Sequence, residues 1–140
     1  MVDFTRTLND LFAETVAKHP NKTALIFYKT RITYRKLDEL AAKFAQFLQN
    51  SGLTPGKRVA MILPNCPQFV IAYLGTLRAG CIVTGLNPLA THKEILEMIR
   101  QSEPRLIISL KDFHKLNAEI YENMMPVAKL MIVSLAEYLP

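Results

Sequence analysis

Cysteine is scarce in this sequence, glycines are never clustered, and no long apolar run goes uninterrupted. Only Cys66 and Cys81 occur among 140 residues, without CxxC or metal-ligand spacing. A secreted disulfide scaffold would carry more cysteine, so a reduced, cytosolic setting is expected, with both residues serving as small buried apolar groups. The five glycines (Gly52, Gly56, Gly75, Gly80 and Gly85) are dispersed. A phosphate-gripping turn needs glycines close together, so that backbone N–H groups converge on the anion; neither a Walker loop nor a dinucleotide fingerprint is present. His19, His92 and His114 share no ligand spacing, which argues against a metal site. Ser51, Ser102, Ser109 and Ser134 lack the setting of an activated nucleophile. Glu94 and Glu97 share a helix face, the usual position of solvated carboxylates. From the residues alone, no catalytic group is assigned.

Acidic residues are also missing from a long stretch. None lies between Glu39 and Glu94, where Lys43, Lys57, Arg58, Arg78 and Lys93 all fall, and the net charge is +5. A solvated basic face explains this, and attraction to an anionic lipid surface is the functional alternative. Nucleic acid is not expected, because no aromatics interleave with the basic residues and no recognition module is present. The start, Met1-Val2-Asp3-Phe4, contains an acid and no apolar segment, so no secretory signal is visible. From Val59 to His92 the only formal charge is Arg78, but Pro64, Pro67, Gly80 and Pro88 divide the run. That division fits a buried strand–helix–strand unit, not a membrane helix.

Half of the residues are hydrophobic, and 140 residues suffice for one domain with a sizeable core. Thr7 and Asp10 form a capping box for a helix from Leu8 to Lys18, with Leu8, Leu11, Phe12 and Val16 as its apolar stripe. Thr23–Tyr28 and Arg31–Thr33 read as a hairpin about Lys29-Thr30. A second helix is expected from Tyr34 to Asn50, capped by Thr33, with Leu37, Leu40, Ala41, Phe44, Phe47 and Leu48 on one face and Gly52 beyond its end. Strand Arg58–Leu63, a helix opening on Pro67 and closing near Gly80, and strand Cys81–Leu86 follow. Gly75 in that helix suggests close helix packing. Thr91 and Glu94 cap a helix carrying Ile95, Met98 and Ile99, which Pro104 stops. Strand Arg105–Leu110, a helix over Phe113–Asn123 and strand Lys129–Ser134 complete the pattern, and Leu135–Pro140 reads as a connection. The fold class is therefore α/β: an N-terminal helix and β-hairpin, then alternating β-α units forming a mainly parallel sheet with helices on both faces.

The ordered blocks Thr7-Leu8, Asp10-Leu11-Phe12, Pro20, Ala24-Leu25-Ile26 and Thr33-Tyr34 resemble the opening of the acyl-adenylate-forming, AMP-binding ligases. Gly52-Leu53, Arg58-Val59-Ala60, Ala79-Gly80, Asn87-Pro88, Glu94-Ile95 and Pro104-Arg105-Leu106-Ile107-Ile108 continue the likeness. The segment Leu63-Pro64-Asn65-Cys66-Pro67, running on to Tyr73, is similar to the long-chain fatty-acid–CoA ligase branch. Lys57 and Lys36 stand where members commonly have acids, which changes surface charge and not fold.

This resemblance implies that residues 1–140 form an N-terminal fragment of the large adenylation domain. The phosphate loop, the remainder of that domain and the C-terminal lid domain have no counterpart here. The complete ligase would join a fatty acid to CoA through an acyl-adenylate, using ATP and Mg²⁺ and releasing pyrophosphate and AMP. The chain alone is expected to be inactive and to hold no cofactor. Its expected partner is the remainder of the ligase, with fatty acid and CoA entering the complete enzyme. A homodimer through exposed apolar surface and peripheral contact with the inner face of the membrane also follow as expectations, within the cytoplasm. Asn87 and Lys115 are the candidate CoA-side contacts: each follows the end of a strand, and a basic residue there can meet phosphate. A ligase for another carboxylic acid, and a truncated non-enzymatic module binding lipid, CoA or a partner, stay open. A reading frame continuing past Pro140 would separate enzyme from module.

Overall fold

The computed structural model describes residues 5–139. Residues 1–4, which bear on the expected absence of a secretory signal, and residue 140 lie outside them. The chain opens with α1 (Leu8–Lys18), a hairpin of β1 (Thr23–Phe27) and β2 (Thr30–Thr33), and α2 (Tyr34–Asn50). It continues through β3 (Arg58–Ile62), α3 (Pro67–Arg78), β4 (Ile82–Gly85), α4 (His92–Ser102), β5 (Leu106–Leu110), α5 (His114–Met124) and β6 (Lys129–Val133). β3 to β6 form a parallel sheet in the order β4-β3-β5-β6. The expected α/β architecture is present, and Val59 to His92 folds as the strand–helix–strand unit. Among the described residues no helix is long and apolar enough to cross a membrane.

Local chemistry accounts for the helix starts. In α1 the Thr7 hydroxyl accepts from the Asp10 backbone N–H while the Asp10 carboxylate accepts from the Thr7 backbone N–H. Thr91 and Glu94 repeat this arrangement at α4. Each box satisfies two donors that a helix terminus otherwise leaves free. Thr33 caps α2 through its hydroxyl, and α3 begins on Pro67, whose missing N–H costs nothing there.

Residues alternate between the two sheet faces. Val59, Met61, Leu106, Ile108 and Leu110 face α2 and α3, packing with Leu48, Ala72 and Cys66. Ala60, Ile62 and Ile107 face α4 and α5, packing with Ile95, Ile99, Leu116 and Ile120. Covering on both faces is why all five residues of β5 are buried and why its sequence is apolar on both sides, with Ser109 as the one polar residue. Burying each large aliphatic side chain contributes about 1.5–3 kcal/mol. α2 and α3 lie close enough that a Cβ on Gly75 would sit 2.7 Å from the Ala41 carbonyl oxygen and 2.8 Å from Phe44 Cδ1. The close packing expected at Gly75 is thus between these two helices.

Several details depart from the sequence reading. The hairpin turns on Tyr28-Lys29, with Tyr28 at φ 52°, so β1 stops at Phe27 and β2 starts at Thr30. β3 ends at Ile62, one residue early, and β4 is confined to Ile82–Gly85. In α4, Leu96 is buried and Met98 is 40% exposed, because the buried arc is centred on Ile95, Leu96 and Ile99. α1 buries no residue outright: Leu8 and Leu11 stay exposed, while Phe12 packs toward Tyr34. In α2, Leu37, Ala41, Ala45 and Leu48 are buried but Phe47 is exposed. Residues Leu135–Tyr138, read as a plain connection, form a 3₁₀ turn that folds back over the molecule. Gln68 Nε2 donates to the Ser134 carbonyl at 2.8 Å, and the Thr30 hydroxyl donates to the Tyr138 carbonyl at 3.0 Å. Burial, and secondarily the Glu137 charge, raise the Tyr138 phenol's pKa.

Candidate functional site

All four sheet strands point the same way, so their carboxyl ends share one edge. β4 and β5 lie on opposite sides of β3, and the winding direction reverses there. Right-handed crossovers then place α3 on one face and α4 and α5 on the other. In open α/β sheets, ligands gather beyond carboxyl ends near such a reversal. Here the point itself is filled by the chain's own apolar groups. Leu63, Cys66 and Leu110 are buried together, with Phe113 and Leu135 packed against them. Burial pushes the Cys66 thiol pKa up, opposed by the backbone N–H groups of Phe69 and Gln68, and burial likewise raises that of Cys81. Both are buried, unbridged and poorly suited to act as thiolates, as the sequence reading held.

Asn87 follows β4 on the same edge and borders an open cleft of about 760 Å³ with Thr91, Lys93, Glu94 and Glu97. Its Oδ1 accepts from the Leu89 backbone N–H at 2.9 Å, closing the Asn87-Pro88 turn. The Thr91 hydroxyl, then its backbone N–H, hold the Glu94 carboxyl below its ordinary pKa. Lys115 lies in the first turn of α5, exposed, with no ion pair or hydrogen bond among the described residues. It is not part of the Asn87 cleft lining. The starts of α4 and the middle of α5 are joined by His92 Nδ1 and Glu119 Oε1 at 3.0 Å. The two candidate residues therefore share an edge of the sheet, on either side of β3, without sharing one cleft.

A narrower apolar cleft of about 300 Å³ separates the hairpin from the start of α3, lined by Leu25, Phe27, Cys66 and Phe69. No three His, Cys, Asp or Glu side chains gather as a metal site among the described residues. The glycines occupy turns, helix ends, the end of β4 and the α2–α3 contact, and none forms a phosphate cradle. The sequence reading did not join Lys57, Arg58, Arg100 and Arg105, which meet at the opposite, amino end of the sheet. Its signal was partial: Lys57 and Arg58 fall in the acid-free stretch, but the others come from distant segments.

Comparison with known proteins gives this architecture a lineage. The chain is 40% identical over 135 residues to a long-chain-fatty-acid–CoA ligase of Bacillus subtilis, covering 96% of this chain and 24% of that protein. It is 37% identical over 112 residues to the Escherichia coli protein of the same name, covering 79% of this chain and 20% of that protein. The crystal structure of the anthranilate CoA ligase AuaEII in complex with anthranoyl-AMP superposes with a TM-score of 0.82 at 25% identity, covering 94% of this chain and 25% of that one. The chain thus spans about a quarter or less of the length of these relatives. The profile of the AMP-binding enzyme family matches residues 12–138, and the chain belongs to that family.

Proposed function

We propose that this chain is the N-terminal fragment of the large adenylation domain of a long-chain fatty-acid–CoA ligase. The observation that carries the reading is 40% identity, sustained over 135 residues, to a relative of that name. The complete enzyme would convert a fatty acid and ATP to an acyl-adenylate and pyrophosphate, with Mg²⁺ bound elsewhere in the protein. CoA would then displace AMP. This segment supplies scaffold, with its carboxyl edge toward CoA, and the remainder of the ligase covers its exposed apolar surface. A cytoplasmic enzyme touching the inner face of the membrane through basic residues fits the charge distribution.

The test is acid-dependent ATP–pyrophosphate exchange. The complete protein encoded by a continuing reading frame should exchange with long-chain fatty acids, and this chain alone should not rise above a blank. Exchange with aryl acids only would replace the fatty-acid reading by the aryl one, which draws on the anthranilate ligase likeness. A reading frame that stops at residue 140 would favour a non-enzymatic module, and self-association of this chain through its open apolar surface would then acquire a role.

Asn87 and Lys115 enter this reading as CoA-side contacts, Asn87 through the turn it closes and Lys115 through its free ammonium. Lys115→Ala in the complete enzyme should weaken CoA binding several-fold, the scale of about 1 kcal/mol for an exposed phosphate contact, with acyl-adenylate formation unchanged. Unaltered affinity for CoA at low salt would return Lys115 to ordinary surface charge.

A further inference from the structure

The amino end of the sheet carries a cleft that the ligase reading leaves unused. It encloses about 540 Å³, within the range of small-molecule sites. Four cations line it: Lys57 and Arg58 where β3 begins, Arg100 near the end of α4, and Arg105 just before β5. Backbone pairing brings them together, since Arg105 N–H donates to the Arg58 carbonyl at 2.9 Å. Glu103, the only acid of the lining, adopts left-handed backbone (φ 46°, ψ 55°) as the C-cap of α4. That conformation is disfavoured for a residue bearing Cβ, and it turns the chain sharply so that Pro104-Arg105 crosses the cleft.

These cations are poorly compensated. Lys57 and Arg58 have no carboxylate within ion-pair distance among the described residues, and Glu103 pairs with none of them. Arg100 has only Glu97, at 3.7 Å, and Arg105 reaches only the Val127 carbonyl, at 3.5 Å. Elsewhere the chain couples Arg6 and Lys18 to Glu14, and Arg78 to Asp38. Four cations, with Glu103 in the lining and Glu97 beside Arg100, leave the concavity net positive, which raises the local concentration of multivalent anions. Val127, 68% exposed, and the half-buried Met124 add an apolar lining beside the charges. A flat anionic membrane would touch only a rim, whereas a compact polyanion with an apolar body can reach both.

From this geometry we infer that the amino-end cleft is a binding site for a small molecule bearing a diphosphate group. The arginines would hold its oxygens through paired N–H donors, with Lys57 as a point charge. The apolar lining would receive whatever carries the group. The site stands apart from the CoA edge and does not depend on which acid the ligase activates.

The chain labelled with ¹⁵N should be titrated at low salt with inorganic pyrophosphate, ADP, adenosine and sulfate. Pyrophosphate and ADP are expected to shift the amides of Gly56 to Arg58 and Glu103 to Arg105 saturably; tighter binding of ADP would give the apolar lining its role. Arg58→Gln with Arg105→Gln should weaken the apparent affinity about tenfold, and Lys43→Gln, on the exposed side of α2, should leave it unchanged. Should the double variant lose its native spectrum, Lys57→Gln, whose side chain has no partner among the described residues, should weaken binding several-fold. The inference fails if diphosphate shifts nothing, if sulfate or adenosine reproduces the shifts, if they centre on Lys115, or if the charge-neutral variants bind as the parent does.

Discussion

The two faces of the sheet are covered in different ways. On one, α3 meets α2 so closely at Gly75 that there is no room for a methyl group. On the other, α4 and α5 pack onto the sheet through the large side chains of Ile95, Ile99, Leu116 and Ile120. The first face depends on backbone proximity, and added volume should damage it. The second depends on large aliphatic side chains, and lost volume should damage it. One sheet thus carries two opposite sensitivities, although both faces are built from residues of similar hydrophobicity.

The largest expected effect belongs to the second face. Ile99→Ala, at a position 1% exposed, should cost about 3 kcal/mol by combined loss of burial and cavity formation, measured as a shift in the urea midpoint. A loss below about 1 kcal/mol would mean that α4 collapses onto the sheet and that this face is not rigid. Gly75→Ala sharpens the contrast. Helix propensity alone would favour alanine by about 1 kcal/mol, but overlap with the Ala41 carbonyl and the Phe44 ring should reverse the sign. A net destabilisation of about 2 kcal/mol is expected, and a stabilised variant would break the comparison outright.

The smallest effect tests how α4 is held at its start. Thr91→Ala should cost about 1 kcal/mol through the lost cap. It should also change the acid limb of the stability curve. The Glu94 carboxyl is held below its ordinary pKa by the Thr91 hydroxyl and then by its backbone N–H. Its contribution is therefore full above the unfolded carboxylate pKa and disappears as pH falls through the lower, folded value. Urea midpoints followed below about pH 5 should fall less steeply in Thr91→Ala than in the parent. Equal slopes would show that the Thr91 hydroxyl does not set the titration of Glu94.

What could be read from the sequence was chiefly local. The capping boxes of Thr7 with Asp10 and Thr91 with Glu94 need only three residues' separation, and both formed as written. The strand–helix alternation from Arg58 onward likewise marked a parallel sheet. Strand order could not be read this way, because it depends on which face each crossover helix takes. The stripe of α1 overestimated burial because periodicity tells that a helix has an apolar side, not how much of the protein lies beneath it. Met98 was misjudged beside Leu96 for a related reason: the arc covered by the sheet is offset from the apolar stripe. At the candidate site, the Asn87-Pro88 turn was legible. The gathering of Lys57, Arg58, Arg100 and Arg105 was not, since it follows from the pairing of β3 with β5.

The bond from the Thr30 hydroxyl to the Tyr138 carbonyl joins positions 108 residues apart. Tyr138 also packs against the cluster that contains Ile32 and Leu37, which are among the first groups of the chain to emerge during synthesis. This last part of the hairpin's cover is therefore missing while the whole sheet is being translated. At about 5–20 residues per second, that interval lasts roughly 5–20 s. During it Ile32 and Leu37 can already pack with Ala41 and Leu74, and only the Tyr138 side of their cluster stays open, which makes that side the part that a ribosome-associated chaperone would meet exposed.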